Sequence, residues 1–501
     1  MWFLRRNFWN RFMIFKFRHN RPLTIPVPAP EPIIGQVPIV EKFPDVSIPS
    51  ILVAERIPRD ERQRLGLAFC KLQAWLNRRL SPMHPGVGEV DAQPDVALRH
   101  AYTAAHRRCF PAPLRPGAYE GEVDLGLLAV ASPYACYLEQ DDRGGFRWDL
   151  TSLDDFESHP GLRSPAAMVE FVVDPSANRP RATRIDCELG SCSPGDADWA
   201  EATRIAMCGL STHLSLVRHF NWVHLVCGDP MALATRNHLP ADHPIRRLLQ
   251  PHVYATQSSD QMVTYVQMTR DGDFENTYGL THDGVCNLFE ATSGDFDLRR
   301  IDPSVDNDLR GLAGATFETP ALDNRLAIMD VIREHVARYL ALYYDDDAAL
   351  ARDGAYEAWL AALRRQIPHG VDEIAGTSAN ITGAVDLIAT FIYLATVEHE
   401  IVDSGVWNYQ LWSDVQPPRV YANGQRLPRD VYQRTVYANF NFQIPRTPLM
   451  VDFSSLALDE RGATAFQTFL GDLGALQRTI DREPAACWRI EPRNLKANIN
   501  A

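Results

Sequence analysis

The sequence predicts a mainly α-helical protein with minor β structure, and three observations predict it. A helical pattern runs from Asp196 to about Thr235. The segment AVDLIATFIYLATVEHEIVDSG (384–405) is almost wholly apolar until its end, as expected of a helix buried on all sides. Strand-like alternation is confined to short runs between 95 and 190, of which MVEFVV (168–173) is the clearest. The 501 residues can bury a large core, and 46% of them are hydrophobic against 23% charged. A net charge of −13 argues against nucleic acid as a partner. The nine cysteines are odd in number and scattered, with no zinc-ribbon spacing, which favours a reducing, cytoplasmic setting.

In chain order, residues 1–21 (MWFLRRNFWNRFMIFKFRHNR) form an arm that alternates aromatic and basic residues. Its longest apolar run, FMIF, is too short for a secretory signal, which needs roughly 7–15 residues, or for a membrane span, which needs about 20. Two readings stand: peripheral contact with an anionic membrane, or packing on the chain itself or a partner. Residues 22–50 carry eight prolines and should be extended, as a spacer or as a strap across the body. A single domain is expected over 51–501. Helices are expected over 55–82, 322–345, 355–366 and 471–483, besides the two long ones.

The chemistry is in the histidines. Metal binding by imidazole needs nitrogens converging from one helix face or from facing helices. His219 and His224 are five apart, an offset of about 140° on a regular α-helix. A π-helical turn brings that spacing together. His399 and Asp403 stand at i, i+4 at the end of the apolar helix, adjacent on an ordinary α-helix. Both need partners there, and a metal would serve both. The alternative for each is an ordinary core or surface residue; His243 and His252, bounded by prolines, look structural.

These residues carry a resemblance. His219-x4-His224-x18-His243-x8-His252, with ATRNHLPADHPIRRLLQPH around it, is similar to the iron-site signature of the lipoxygenases, one residue longer. HEIVDSGVW (399–407) resembles that family's second iron helix, with Asp403 where the family has Asn or His. IREHVARYLALYYDDDAAL (332–350) resembles a further family helix, and EPRNLKANINA (491–501) falls where the family's last residue gives its main-chain carboxylate to iron. The resemblance covers about residue 125 to 501. It implies a lipoxygenase-like helical catalytic domain, with the Pro-rich arm in place of the family's N-terminal β-barrel.

It also implies non-haem iron held by His219, His224, His399, Asp403 and the carboxylate of Ala501. Two assignments remain open for the first pair: His219 with His224, or a one-residue shift that brings in His213. The former is favoured, because an i, i+6 offset suits neither helix geometry. An iron-held hydroxide would take a hydrogen atom from a bis-allylic carbon of a polyunsaturated fatty acid, and O2 would trap the radical as a hydroperoxide. Val263 falls at the family's oxygen-steering position, where a bulky residue resembles the S-type arrangement. Met262 stands where some members hold an Arg for the substrate carboxylate, and Val406 replaces an outer-shell Gln. An added anionic Asp403 should favour Fe(III) and weaken hydrogen abstraction, which points to an easier substrate than the family's usual one. Two further classes fit the altered ligand set: a non-haem iron oxidase or oxygenase acting on a non-lipid natural product, and a member that binds lipid without turnover.

Overall fold

The computed structural model of the chain describes residues 24–30, 34–62, 68, 71–72, 115–410, 412, 415–423 and 447–499, without the side chains of 404–407. The 1–21 arm, most of the helix expected over 55–82, and Ala501 therefore lie outside the described residues. Where 55–62 is described it is a turn, not the start of a helix. Pro58 lacks an N–H donor, and the carboxylates of Asp60 and Glu61 both turn to the Arg236 guanidinium, at 2.7 and 2.8 Å. A tertiary ion pair overrides the local pattern there.

The described part of the Pro-rich stretch is packed on the body. Prolines donate nothing but keep their carbonyls, and the body supplies the donors: Gln250 Nε2 to Pro26 O at 3.1 Å and Arg246 Nη2 to Ala29 O at 3.0 Å. Farther on, β1 (Gln36–Pro38) pairs antiparallel with β2 (Leu52–Ala54). Ile39, Val46 and Ile48 enter the same hydrophobic core as the helices. A five-stranded antiparallel meander follows, β3 (Glu139–Gln140), β4 (Phe146–Asp149), β5 (Ala167–Asp174), β6 (Arg179–Cys187) and β7 (Gly190–Cys192), in that spatial order. MVEFVV lies in β5, whose residues alternate between buried and partly exposed over its first half.

The helical body begins with α1, which runs as Trp199–His213, then a π-helical stretch Leu214–Gly228, then Asp229–His238. Next come α2 (Pro244–Val253), α3 (Thr256–Val263, continued by a π turn Thr264–Met268), α4 (His282–Ser293), α5 (Pro320–Leu340) and α6 (Gly354–Gln366). The apolar segment is α7, Ile381–Gln410. It is long and apolar enough to cross a membrane, but it is buried in the core: every residue from Leu387 to Val397 is at most 1% exposed. Last, α8 (Glu460–Ile480) starts well before the expected residue 471, because Asp459 caps it by accepting from Gly462 N.

Candidate metal centre

α1 and α7 are the two elements that carry the candidate ligands, and both leave α geometry where they do so. In α1 the Asp229 N–H donates to His224 O, five residues back. This wider winding sets His219 and His224 side by side, with their Nε2 atoms 3.2 Å apart. In α7, π turns at Leu394–Glu398 and Ile401–Gly405 flank His399, so the ordinary α-helix expected around His399 and Asp403 is not what forms. His399 Nε2 lies 3.3 Å from His224 Nε2, across 175 residues of sequence.

The three rings are 0–4% exposed. Burial holds all three imidazoles neutral at physiological pH: His219 is pushed well below its usual range, His224 to about 3 and His399 to about 4. Nitrogens bound to one ion at about 2.1 Å, at right angles or tetrahedrally, stand about 3.0–3.4 Å apart. The two separations from His224 Nε2 meet that requirement, and the third pair lies within 4.8 Å. Three ring nitrogens facing one another cannot all be satisfied by hydrogen bonds among themselves, since each neutral ring has a single N–H. A cation between them would satisfy them all, and the residues fit a metal.

The structure also supplies a group that sequence reasoning missed. Asp260 on α3 places Oδ1 2.8 Å from His224 Nδ1, and its Oδ2 has no hydrogen-bond partner among the described residues. Burial pushes this carboxyl well up, so it needs a nearby cation to stay ionised. With a metal at Nε2, His224 carries its proton on Nδ1 and donates it to Asp260, which orients the ring and raises its basicity. Nothing in the sequence singles out Asp260. Asp260→Ala is expected to weaken metal binding about 10- to 100-fold. Competition with a chelator measures this, and unchanged affinity would leave Asp260 without that role.

The remaining expected residues are placed as follows. His213 is outside the cluster: its Nδ1 is 2.8 Å from Tyr137 Oη and its ring stands edge-on to Trp222. His243 bonds Asp353 at 2.9 Å and caps α2 through Ile245 N, while His252 Nδ1 donates to Ala497 O at 2.7 Å. Asp403 lies beside His399 and Glu400, with candidate ligand atoms of the three within 4.8 Å of one another, and its Oδ2 pairs with Lys496 Nζ at 2.6 Å. Val263 ends the helical part of α3, three residues beyond Asp260, and both Val263 and Met262 are buried. Val406 is in α7 with its side chain outside the description; one turn on, Gln410 Nε2 reaches Ser215 Oγ at 3.1 Å and ties α7 to α1.

A buried charge cluster joins the same two helices. Glu398 accepts from Arg218 Nη2 at 3.2 Å and from Arg325 Nη2 of α5 at 2.8 Å. Arg218 immediately precedes His219 and Glu398 immediately precedes His399, so this cluster sets the ligand-bearing turns against each other.

No family model matches the chain. It is similar to a linoleate 9S-lipoxygenase of Phaseolus vulgaris, 28% identical over 227 residues, which are 42% of this chain and 30% of that protein. In fold it is similar to the manganese lipoxygenase of Gaeumannomyces graminis, at a TM-score of 0.75 and 14% identity over 98% of each chain. It is likewise similar to a lipoxygenase solved anaerobically with arachidonate, at a TM-score of 0.74 and 14% identity, over 93% of this chain and 79% of that one. The chain has the lipoxygenase fold. The aligned stretch spans less than a third of the bean lipoxygenase, and at 14% identity the structural likeness is one of fold. Within the lipoxygenase fold the three histidines occupy the centre of the helical body, at the crossing of its two longest buried elements.

Proposed function

We propose that this chain of lipoxygenase fold is a lipoxygenase-like non-haem iron dioxygenase that converts a polyunsaturated fatty acid or a similar lipid to a hydroperoxide. One observation carries the reading: three buried, neutral imidazoles that converge, with His224 Nε2 standing 3.2 Å from that of His219 and 3.3 Å from that of His399. His219, His224 and His399 would hold the ion, with Asp403 as a further oxygen ligand. Bound there, a redox-active ion supplies the one-electron oxidation of an activated C–H bond and so opens the carbon to O2. Nitrogen and oxygen donors with open positions suit iron or manganese better than a closed zinc site.

The protein's own residues do the rest. Asp260 holds His224 in the tautomer whose Nε2 lone pair faces the centre. Glu398, with Arg218 and Arg325, fixes the two ligand-bearing turns, and the dry helical packing keeps bulk water from the reacting carbon. Val263, one turn beyond Asp260, is proposed to direct O2 to the S face. The likeness to a linoleate 9S-lipoxygenase and to a lipoxygenase that binds arachidonate supports a fatty-acid substrate.

Metal analysis with an oxygen electrode tests this. The purified chain should hold about one iron per molecule and consume O2 with linoleate or arachidonate, giving a mainly S hydroperoxide. An R product would overturn the Val263 assignment. Iron without fatty-acid turnover would move the proposal to a non-lipid substrate, and a chain without metal would leave a lipid-binding member.

A further inference from the structure

We propose that Lys496 is the resident cation that pairs with Asp403 and Glu400 beside the metal centre and offsets the charge that Asp403 adds there. In this way the charge of the Asp403 carboxylate next to the centre is offset. The inference rests on the metal-site reading above.

Lys496 is 3% exposed, a rare position for a lysine outside an ion pair. Its Nζ is 2.6 Å from Asp403 Oδ2 and 3.1 Å from Glu400 Oε1. Glu400 Oε1 in turn stands 3.4 Å from His399 Nδ1, on the ring edge opposite the converging nitrogens. One ammonium therefore touches both Glu400 and Asp403.

The chain near its end is built to deliver it. Leu449 N donates to Leu495 O at 2.9 Å and Ala497 N to Thr447 O at 2.8 Å, a short antiparallel bridge that brackets Lys496. His252 Nδ1 holds Ala497 O from the other side. Gly228, at the end of the π stretch, makes room for the tail: a Cβ there would come within 2.7 Å of Ile499 Cδ1 and 2.5 Å of Val223 O. With its backbone held on both flanks, the lysine keeps little freedom to leave the carboxylates. The expected loss of oxidising power from an anionic Asp403 is thus offset by a positive charge in contact with the same carboxylate.

Removing that charge has a signature that a purely structural role lacks. In Lys496→Met the buried Glu400 and the partly buried Asp403 lose this cation, so the metal-free protein is destabilised. The same uncompensated charge attracts an incoming ion, so Fe(II) should bind about tenfold more tightly or better. The Fe(III)/Fe(II) midpoint potential should fall, because the added negative charge favours the higher oxidation state. Asp403→Asn should do the reverse, weakening Fe(II) binding, and Lys496→Arg should resemble the wild type.

The experiment is anaerobic Fe(II) titration of the chelator-treated full-length chain, with thermal midpoints of the metal-free and loaded forms. A wider gap between the two midpoints in Lys496→Met, with tighter Fe(II), supports the assignment. Parallel loss in both forms at unchanged affinity overturns it. If Lys496→Met does not fold, the Lys496→Met/Asp403→Asn double variant and Asp403→Asn alone decide. Failure of the double variant to recover folding, together with unaltered Fe(II) affinity in Asp403→Asn, also overturns it. A wild-type chain that takes up no Fe(II), or holds it equally after His399→Ala, overturns the metal-site reading instead.

Discussion

His399→Ala is expected to bring bound iron to background and abolish O2 uptake while the chain still unfolds cooperatively. The ring contributes one of three converging nitrogens and is the only one from α7, so its loss leaves two ligands on a single helix. Two imidazoles from one turn bind an ion far more weakly than three that surround it. The cost to folding is that of truncating a buried ring, on the order of 3 kcal/mol, and most of a domain's stability remains. The informative control is His213→Ala. His213 is more exposed than the ligands, but burial of its ring and Arg218 still push it to about 3, and its ring bonds only Tyr137 among the described residues. That variant should keep its iron. Metal analysis of both variants, with circular dichroism to verify folding, checks the pair. Iron lost from His213→Ala and retained in His399→Ala would reverse the ligand assignment.

Glu398→Leu is expected to be the most destabilising single change in the described structure. It strips the shared carboxylate from Arg218 and Arg325, leaving two guanidinium groups in a site where all three residues are at most 7% exposed. Breaking a buried ion pair by removing one partner costs about 3–5 kcal/mol, and here one carboxylate serves two cations. Arg325 Nε keeps its bond to Tyr393 Oη at 3.1 Å, which offsets a little of the loss. Denaturant titration should show a midpoint shift of that size, or no folded protein. The triple change Glu398→Leu with Arg218→Leu and Arg325→Met should recover much of the stability, because it removes the charges as well as their partner. A loss below about 1 kcal/mol in Glu398→Leu would mean that water reaches the cluster.

Much of the fold was legible because helix periodicity is local. The stretch from Trp199 to His238, the apolar α7 and the runs over α5 and α6 each bury a face or a whole surface whose spacing is written in consecutive residues. The His219–His224 offset likewise implied that, if the two met, they did so in a π turn. It could not show that the turn exists, since the same letters suit an α-helix that points the rings apart. The errors were of a different kind. Residues 55–62 look helical in isolation, yet Asp60 and Glu61 leave that pattern for Arg236, 176 and 175 residues away. α8 was started too late, because its first turns are set by the Asp459 cap more than by an apolar stripe.

By itself, then, the sequence determined the helical class, the register of the histidines on their helices and the family resemblance. These follow from hydrogen bonding and side-chain periodicity within a few residues. Only the tertiary structure decided that His399 meets His224, that Asp260 stands behind His224, that Glu398 bridges Arg218 and Arg325, and that Lys496 comes back to Asp403. Each joins segments tens to hundreds of residues apart, and a buried charge or imidazole can be satisfied by many different partners. Which partner it finds depends on how the apolar faces pack, and that packing places the polar groups where no pattern along the chain records them.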